Sequence, residues 1–308
     1  MQESDNAKAI GMSKTSNGPS KTAETIAMVR VAESRRPEDE RICYDPYAIR
    51  FISKEVLEFA SCNKEKYRAF LEQSERLVPG VRNSIIARVR YIDDLVNSAI
   101  GDELEQLVIL GAGYDTRAYR IEGLKNIRIF EVDKQATQKI KMEKIEEIFG
   151  SLPSHVTYVP VDIGIDKLGL RLLESGYDRS RKTLFIMEGL FMYLQQGTVD
   201  ETLSFIAQNS GRSSAIVFDY IPQSVVDGTC DLEAGKNWRK GVIDVGELFQ
   251  FGIKDGEIET FLTQRGFSKV RNVTSKDYKK AYFFGKNEGR EMNSLLSFAY
   301  AAVEYDCL

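Results

Sequence analysis

Four places along the chain set chemically useful residues at the end of a short apolar run. LVIL leads into Gly111-Ala112-Gly113-Tyr114-Asp115-Thr116-Arg117, and IRIF leads into Glu131-Val132-Asp133. VTYVPV leads into Asp162-Ile163, and TLFIM into Glu188-Gly189-Leu190-Phe191-Met192-Tyr193-Leu194. Glycines at 111 and 113 allow a tight turn and let a ligand press against main chain. A carboxylate about 20 residues further on can accept both hydroxyls of a ribose. An Asp followed by an aliphatic residue suits an adenine, with an acceptor for the exocyclic amine and a surface for the ring. A glutamate among apolar neighbours is costly to bury alone, and a ligand ammonium or sulfonium would partner it. Each group also has a local use: a ligand-free glycine turn, a helix cap by Asp133, a turn by Asp162.

The glycine run departs from a dinucleotide fingerprint. Thr116 stands where G-x-G-x-x-G needs its third glycine, and Tyr114 and Asp115 put bulk and negative charge where a pyrophosphate would lie. An anionic ligand is disfavoured there and a cationic one is welcome, so Asp115 joins the candidate cofactor-binding residues. Both NAD and S-adenosylmethionine carry an adenosine ribose, so Asp133 does not choose between them. The four strand ends jointly supply what S-adenosylmethionine requires. An NAD(P)-dependent oxidoreductase is the alternative that the missing glycine speaks against. A non-catalytic S-adenosylmethionine-binding protein is a third reading.

These groups need a frame. Apolar runs at 107–111, 127–133, 156–162, 183–189 and 215–220 read as strands, with helical segments between most of them. Thr198-Val199-Asp200-Glu201 reads as a capping box opening one helix, residues 134–149 supply another, and a third runs from about Asp255 to Arg265. Such alternation implies a mainly parallel α/β sheet covered on both faces, with ligands beyond the carboxyl ends of its strands. FSKVRNV (267–273) and KAYFFG (280–285) read as two further strands, paired as a hairpin with an antiparallel strand at the sheet edge. The segment MNSLLSFAYAAVEYDCL, with Met292, Leu295, Leu296, Ala299 and Val303 apolar, reads as a final amphipathic helix.

Before the first strand the chain reads as helical. Its clearest helix covers 81–100, and Asp45-Pro46 should start another. Residues 1–20 read as a polar arm, 21–105 as a helical cap, and 106–308 as the core. Residues 221–252 are too long for a plain connection and suggest a lid facing the substrate.

Composition excludes several classes. A chain of 308 residues with 43% hydrophobic and 29% charged residues is ordinary for a globular protein. A net charge of −4 gives no reason to expect nucleic acid as a partner. Four scattered cysteines and one histidine, His155, argue against a metal site or a disulfide framework and fit a reducing cytoplasm. No segment reads as a signal peptide or a membrane span.

The sequence resembles the leucine carboxyl methyltransferase superfamily, in particular its microbial branch of S-adenosylmethionine-dependent O-methyltransferases. The resemblance rests on DPYA (45–48), the AR-V-R stretch and following Asp pair (87–94), LGAGYDTRAYR (110–120), FEVD (130–133), PVDI (160–163) and EGLFMYL (188–194), with a looser match at GELFQFGI (246–253). It implies a seven-stranded, mostly parallel, Rossmann-like class I methyltransferase sheet with one antiparallel strand, an N-terminal helical cap and a lid insertion. It also implies that Arg88 holds the methionine carboxylate of the cofactor, with Arg30 as a second contact. Gly111 and Gly113 would line the methionine moiety, and Asp133 with Glu131 nearby would take the ribose hydroxyls. Asp162 and Ile163 would flank the adenine, and Glu188 would lie near the amino group.

Methyl transfer from a sulfonium is a direct displacement, so the protein supplies position and desolvation. A carboxylate acceptor is already ionised and needs no general base, which suits a chain with one histidine placed in a surface loop. The expected acceptor is therefore a carboxylate, on a small molecule or a peptide C-terminus. Tyr193 and the 221–252 insertion are the expected acceptor contacts. No metal is expected.

Overall fold

The computed structural model describes residues 20–244 and 246–303. Most of the polar arm expected at 1–20 lies outside the described residues, as do positions 304–308. Seven strands form one sheet in the order β3-β2-β1-β4-β5-β7-β6. They are β1 (Gln106–Leu110), β2 (Arg128–Asp133), β3 (Val156–Pro160), β4 (Thr183–Met187), β5 (Ala215–Tyr220), β6 (Phe267–Val273) and β7 (Ser297–Val303). The first five run parallel, and β7 is antiparallel to both β5 and β6.

The apolar strand runs follow from burial on both faces. In β1, Leu107 and Ile109 face one core cluster with Ile92, Val96, Leu184 and Ile186. Val108 and Leu110 face the opposite cluster, with Phe130, Val132, Phe185 and Phe218. The first cluster is closed by α4 (Val81–Gly101), preceded by α1 (Lys21–Ser34), α2 (Lys54–Cys62) and α3 (Lys64–Leu77). A short α5 (Arg117–Arg120) follows β1, and α6 (Gln135–Phe149) follows β2. The second cluster takes residues from α7 (Leu168–Glu174), α8 (Gln196–Gln208) and α11 (Ile258–Thr263). Between β5 and α11 the chain forms α9 (Gln223–Asp227) and α10 (Glu233–Asp244), within the segment expected as an insertion.

Five local expectations are corrected. KAYFFG is not a strand: its first residues end α12 (Ser275–Tyr282), opened by a capping box between Thr274 and Asp277. The C-terminal segment is not a helix through its described part, because Ser297–Val303 is β7. The antiparallel strand therefore lies inside the sheet, between β5 and β6, and not at its edge. A short apolar run buried on both faces carries no period that separates helix from strand, and here the open side of β5 decided. Finally, α8 starts at Gln196 with Gln195 as its cap, so Thr198 sits inside the first turn. Asp45-Pro46 opens only a 3-10 turn, Ala48–Phe51, where Asp45 Oδ1 accepts from the Tyr47 and Ala48 amides at 3.0 Å.

Candidate active site

The glycine turn after β1 is held in a form that side chains resist. Gly111 and Gly113 have φ of +67° and +43°. A Cβ on Gly111 would lie 3.2 Å from the Leu190 side chain, and one on Gly113 would lie 3.2 Å from Ala23 of α1. The turn is thus narrow and roofed by neighbours. Asp133, at the tip of β2, accepts from the Gly113 amide and from the Lys134 amide at 2.6 Å. Burial raises its carboxyl pKa, and those two N–H donors oppose the rise. Asp133 therefore ties the β1 turn to the end of β2 and keeps lone pairs for a diol.

The place of the missing glycine is filled from within the protein. Thr116 is 1% exposed and donates to Asp45 Oδ2 at 2.7 Å. The Arg117 amide donates to Asp115 Oδ1 at 2.7 Å, so a carboxylate already takes the donor a pyrophosphate would use. A pyrophosphate would have to displace that carboxylate to reach the amide.

Behind this turn lies a buried chain of charges. Arg117, 2% exposed, donates from Nε to Asp93 at 2.7 Å and from Nη1 to Glu188 at 2.6 Å and to Asp115. Arg120 holds both oxygens of Asp93 at 2.8 Å. Arg88 donates to Glu188 at 3.0 Å and to Asp219 at 2.6 Å. Through Thr116, the chain reaches Asp45, which accepts from Arg30 at 2.8 Å. At their ordinary charges these are four guanidiniums against five carboxylates, with the Lys141 ammonium also acting on Asp115. Burial works against the Asp115 anion, but Arg117, Lys141 and Arg120 outweigh it and hold its pKa at about 2. For Glu188, too, the arginines overcome burial and lower the pKa. Burial raises the pKa of Asp219, against the pull of Arg88 and the Gly189 amide, so Asp115 and Glu188 are the acids that the arginines keep ionised at neutral pH. The site suits a ligand with a cationic centre.

Each expected site residue can now be placed. Gly111, Gly113, Asp115, Asp133 and Glu188 cluster at the carboxyl ends of β1, β2 and β4. Asp162 and Ile163 follow β3 beside them, and Ile163 borders a cavity with Thr198 and Phe205. Arg88 is in the cluster, but its Nε and Nη1 are engaged by Glu188 and Asp219. Arg30 is likewise engaged, by Asp45 and by the Tyr114 carbonyl at 2.6 Å. Glu131 departs from expectation. It is 1% exposed, with Lys141 Nζ 2.7 Å from its Oε2, and it offers no surface to a ribose. Burial lifts its pKa to about 7, against the pull of Lys141. Asp133, two residues on, is the carboxylate of β2 that remains partly exposed.

The sequence reading missed Asp219. It is fully buried at the end of β5, bonded to Arg88 and to the Gly189 amide at 2.6 Å. The signal was present, since AIVFDY shows the same acid at an apolar strand end that singled out Glu188.

Above the strand ends, Tyr193 packs on Phe249 with ring centroids 5.5 Å apart, and Trp238 meets Phe249 edge-on at 5.6 Å. Gln250 donates to the Tyr193 carbonyl at 2.7 Å, and Thr22 of α1 donates to Glu247. The segment after α10 and the start of α1 thus meet over Tyr193, whose phenol pKa is raised first by burial and then by Glu247. His155 lies elsewhere, just before β3, with its ring nitrogen 3.0 Å from the Ala118 carbonyl.

Comparison with known proteins agrees with this geometry. Residues 23–207 match the family model described as leucine carboxyl methyltransferase. The chain belongs to that family. A Mycobacterium sp. (strain MCS) relative is 33% identical over 230 residues, covering 74% of this chain and 88% of its own length. A Bacillus subtilis relative is 26% identical over 254 residues, covering 82% of each chain. Both are provisionally named S-adenosyl-L-methionine-dependent methyltransferases. Among solved structures, a methyltransferase so described from Thermobifida fusca aligns with a TM-score of 0.58 at 15% identity, over 78% of this chain and 89% of that one. A DUF574 family protein from Streptomyces avermitilis gives 0.59 at 11% identity, over 91% and 97%. At those identities the two structures speak for the fold, which is that of the class I methyltransferases. As a family member, the chain is an S-adenosyl-L-methionine-dependent methyltransferase.

Proposed function

We propose that the enzyme methylates a carboxylate oxygen, on a small acid or a peptide C-terminus. The observation that carries this reading is that no histidine stands beside Tyr193, and that its neighbouring carboxylate, Glu247, already accepts from Thr22. The single histidine is held before β3, at the other end of that strand, and burial keeps the Tyr193 phenol protonated at neutral pH. An alcohol would need its proton removed, whereas a carboxylate is ionised at the outset. S-adenosyl-L-methionine supplies an electrophilic methyl on a sulfonium. The chain's own residues then bind, orient and desolvate. Asp133 takes the ribose diol, Asp162 and Ile163 flank the adenine, and Gly111 and Gly113 admit the methionine portion. Arg88 Nη2 meets the methionine carboxylate, with Arg30 behind it. Glu188 and Asp115 face the ammonium, and these two ionised carboxylates favour the cationic donor over its neutral-sulfur product. Tyr193, Trp238 and Phe249, together with the 221–252 segment, form the acceptor side. The family name, and the three free cysteines among the described residues, fit an enzyme of a reducing cytoplasm acting on carboxyl groups.

The test is transfer of radiolabelled methyl to a panel of carboxylic acids and peptide C-termini, followed by mild alkali. Methyl esters release volatile methanol, and alkali-stable product would overturn the carboxylate reading. Glu247→Gln gives a second check, because Glu247 is the carboxylate nearest Tyr193. A carboxylate acceptor predicts a kcat within a few-fold of wild type, while a collapse of kcat would mean that Glu247 serves as a base for a hydroxyl.

No helix among the described residues is long and apolar enough to cross a membrane, and none of their His, Cys, Asp and Glu residues group as a metal site.

A further inference from the structure

The opposite end of the sheet holds a second cavity that the methyltransferase reading does not use. It measures about 480 Å³ and opens between the C-terminal half of α4, the starts of β4 and β5, and the β6–β7 pair. That volume is in the range of small-molecule sites, about 300–1,000 Å³. Lys182, Arg212, Lys269 and Arg271 line it, against one carboxylate, Asp102. In a protein of net charge −4 this is a local reversal of sign. Lys182 is held by the Asp102 carbonyl, and the Arg271 guanidinium lies 4.3 Å over the Tyr300 ring, which also lines the cavity. Among the described residues, Arg212, Lys269 and Arg271 form no salt bridge.

The backbone is strained to make this arrangement. Three non-glycine residues of the described chain have positive φ: Glu103 (+60°), Ser213 (+64°) and Lys269 (+50°). Ser213 and Lys269 line the cavity, and Glu103 lies between two residues that do. Such conformations are strained for residues with a side chain, and they cluster where function requires them. Lys269 marks a bulge. Ser268 pairs with Ala302 and Arg271 with Tyr300, so β6 carries one extra residue against β7. In a regular strand Ser268 and Arg271, three apart, would face opposite sides of the sheet. The bulge brings both to the cavity, while Val270 packs on the core cluster of the other face.

We propose that this cavity binds a small phosphoryl-bearing anion, at a site separate from the cofactor site. The cations meet the charged oxygens, and the apolar floor of Leu95 and Leu184 meets an organic body. The proposal stands independently of the acceptor assigned above, because it concerns the amino ends of the parallel strands.

Calorimetric titration of the full chain at low ionic strength with pyrophosphate, inorganic phosphate and ADP tests it. Wild type should bind pyrophosphate saturably. Arg212→Gln/Arg271→Gln should weaken that binding at least about tenfold, the loss of charge-assisted contacts, while binding S-adenosyl-L-methionine as wild type does. Both arginines are exposed, so the variant should keep the wild-type melting temperature. ADP binding more tightly than pyrophosphate would identify an organic phosphate as the ligand, and equal affinity would identify the phosphoryl group alone. A control variant, Lys54→Gln/Lys139→Gln, removes two exposed lysines elsewhere and should bind pyrophosphate normally. Absence of saturable binding to wild type, or an equal loss in the control variant, would overturn the proposal.

Discussion

The two ends of one sheet solve opposite electrostatic problems. At the carboxyl ends of the strands, four arginines and five acids are buried and paired. At the amino ends, four cations line an open cavity against one acid, and the backbone is strained to keep them there. Burial makes the difference. Charges removed from water must find partners, whereas charges at a wet surface can remain unpaired at little cost. The first end should therefore be both stabilising and functional, and the second functional only.

The sharpest way to break that contrast is Arg117→Ala. It takes one partner from Asp93 and Glu188, which keep Arg120 and Arg88, and it leaves Asp115 with no guanidinium; an uncompensated buried carboxylate costs about 3–5 kcal/mol. We expect a melting temperature lower by roughly 6–15 °C and no measurable S-adenosyl-L-methionine binding by calorimetry. A variant that melts like wild type would show that the network contributes little.

Glu131 sharpens the same point through pH. Its folded pKa, about 7, is raised from 4.5, so protonation favours the folded state. The stability it confers is complete below pH 4.5 and is lost as pH rises through 7, at most about 3 kcal/mol. Thermal melts of wild type from pH 4.5 to 8 should carry this decline, and Glu131→Gln should flatten it, even though leaving Lys141 unpaired lowers the curve as a whole. An unchanged slope would place the titration elsewhere. Asp115 acts in the reverse sense, because its depressed pKa of about 2 gives stability that persists above pH 3.8 and is lost as pH falls through 2.

Asp133→Asn should separate binding from stability. It keeps an acceptor for the Gly113 amide but weakens the ribose contact, so S-adenosyl-L-methionine affinity should fall at least about tenfold, or 1.4 kcal/mol, with a melting shift of a few degrees at most. Wild-type affinity would mean that another group holds the ribose.

The smallest effect belongs to the other end. Lys269→Gly relieves a left-handed residue at the bulge and should leave the melting temperature unchanged or raise it by up to a few degrees, while weakening pyrophosphate binding. A marked loss of stability would make Lys269 a structural residue and remove the contrast.

The sequence by itself determined the alternating sheet and the chemistry of its tips. A strand buried on both faces must be written as an unbroken apolar run, so a charge at its end stands out, and Asp133, Asp162 and Glu188 were found that way. Asp219, at the end of AIVFDY, carries the same mark. Other matters lay beyond sequence. Whether SFAYAAV would be helix or strand depended on the unpaired side of β5, 80 residues away, and no local period encodes that choice. Glu131 and Asp133 share one face of β2, yet only packing by Lys141 decided that one would be sealed and the other left to a ligand. The pairing of Arg88 with Glu188 and Asp219 joins a helix to two strands, and it exists only where the chain is closed upon itself.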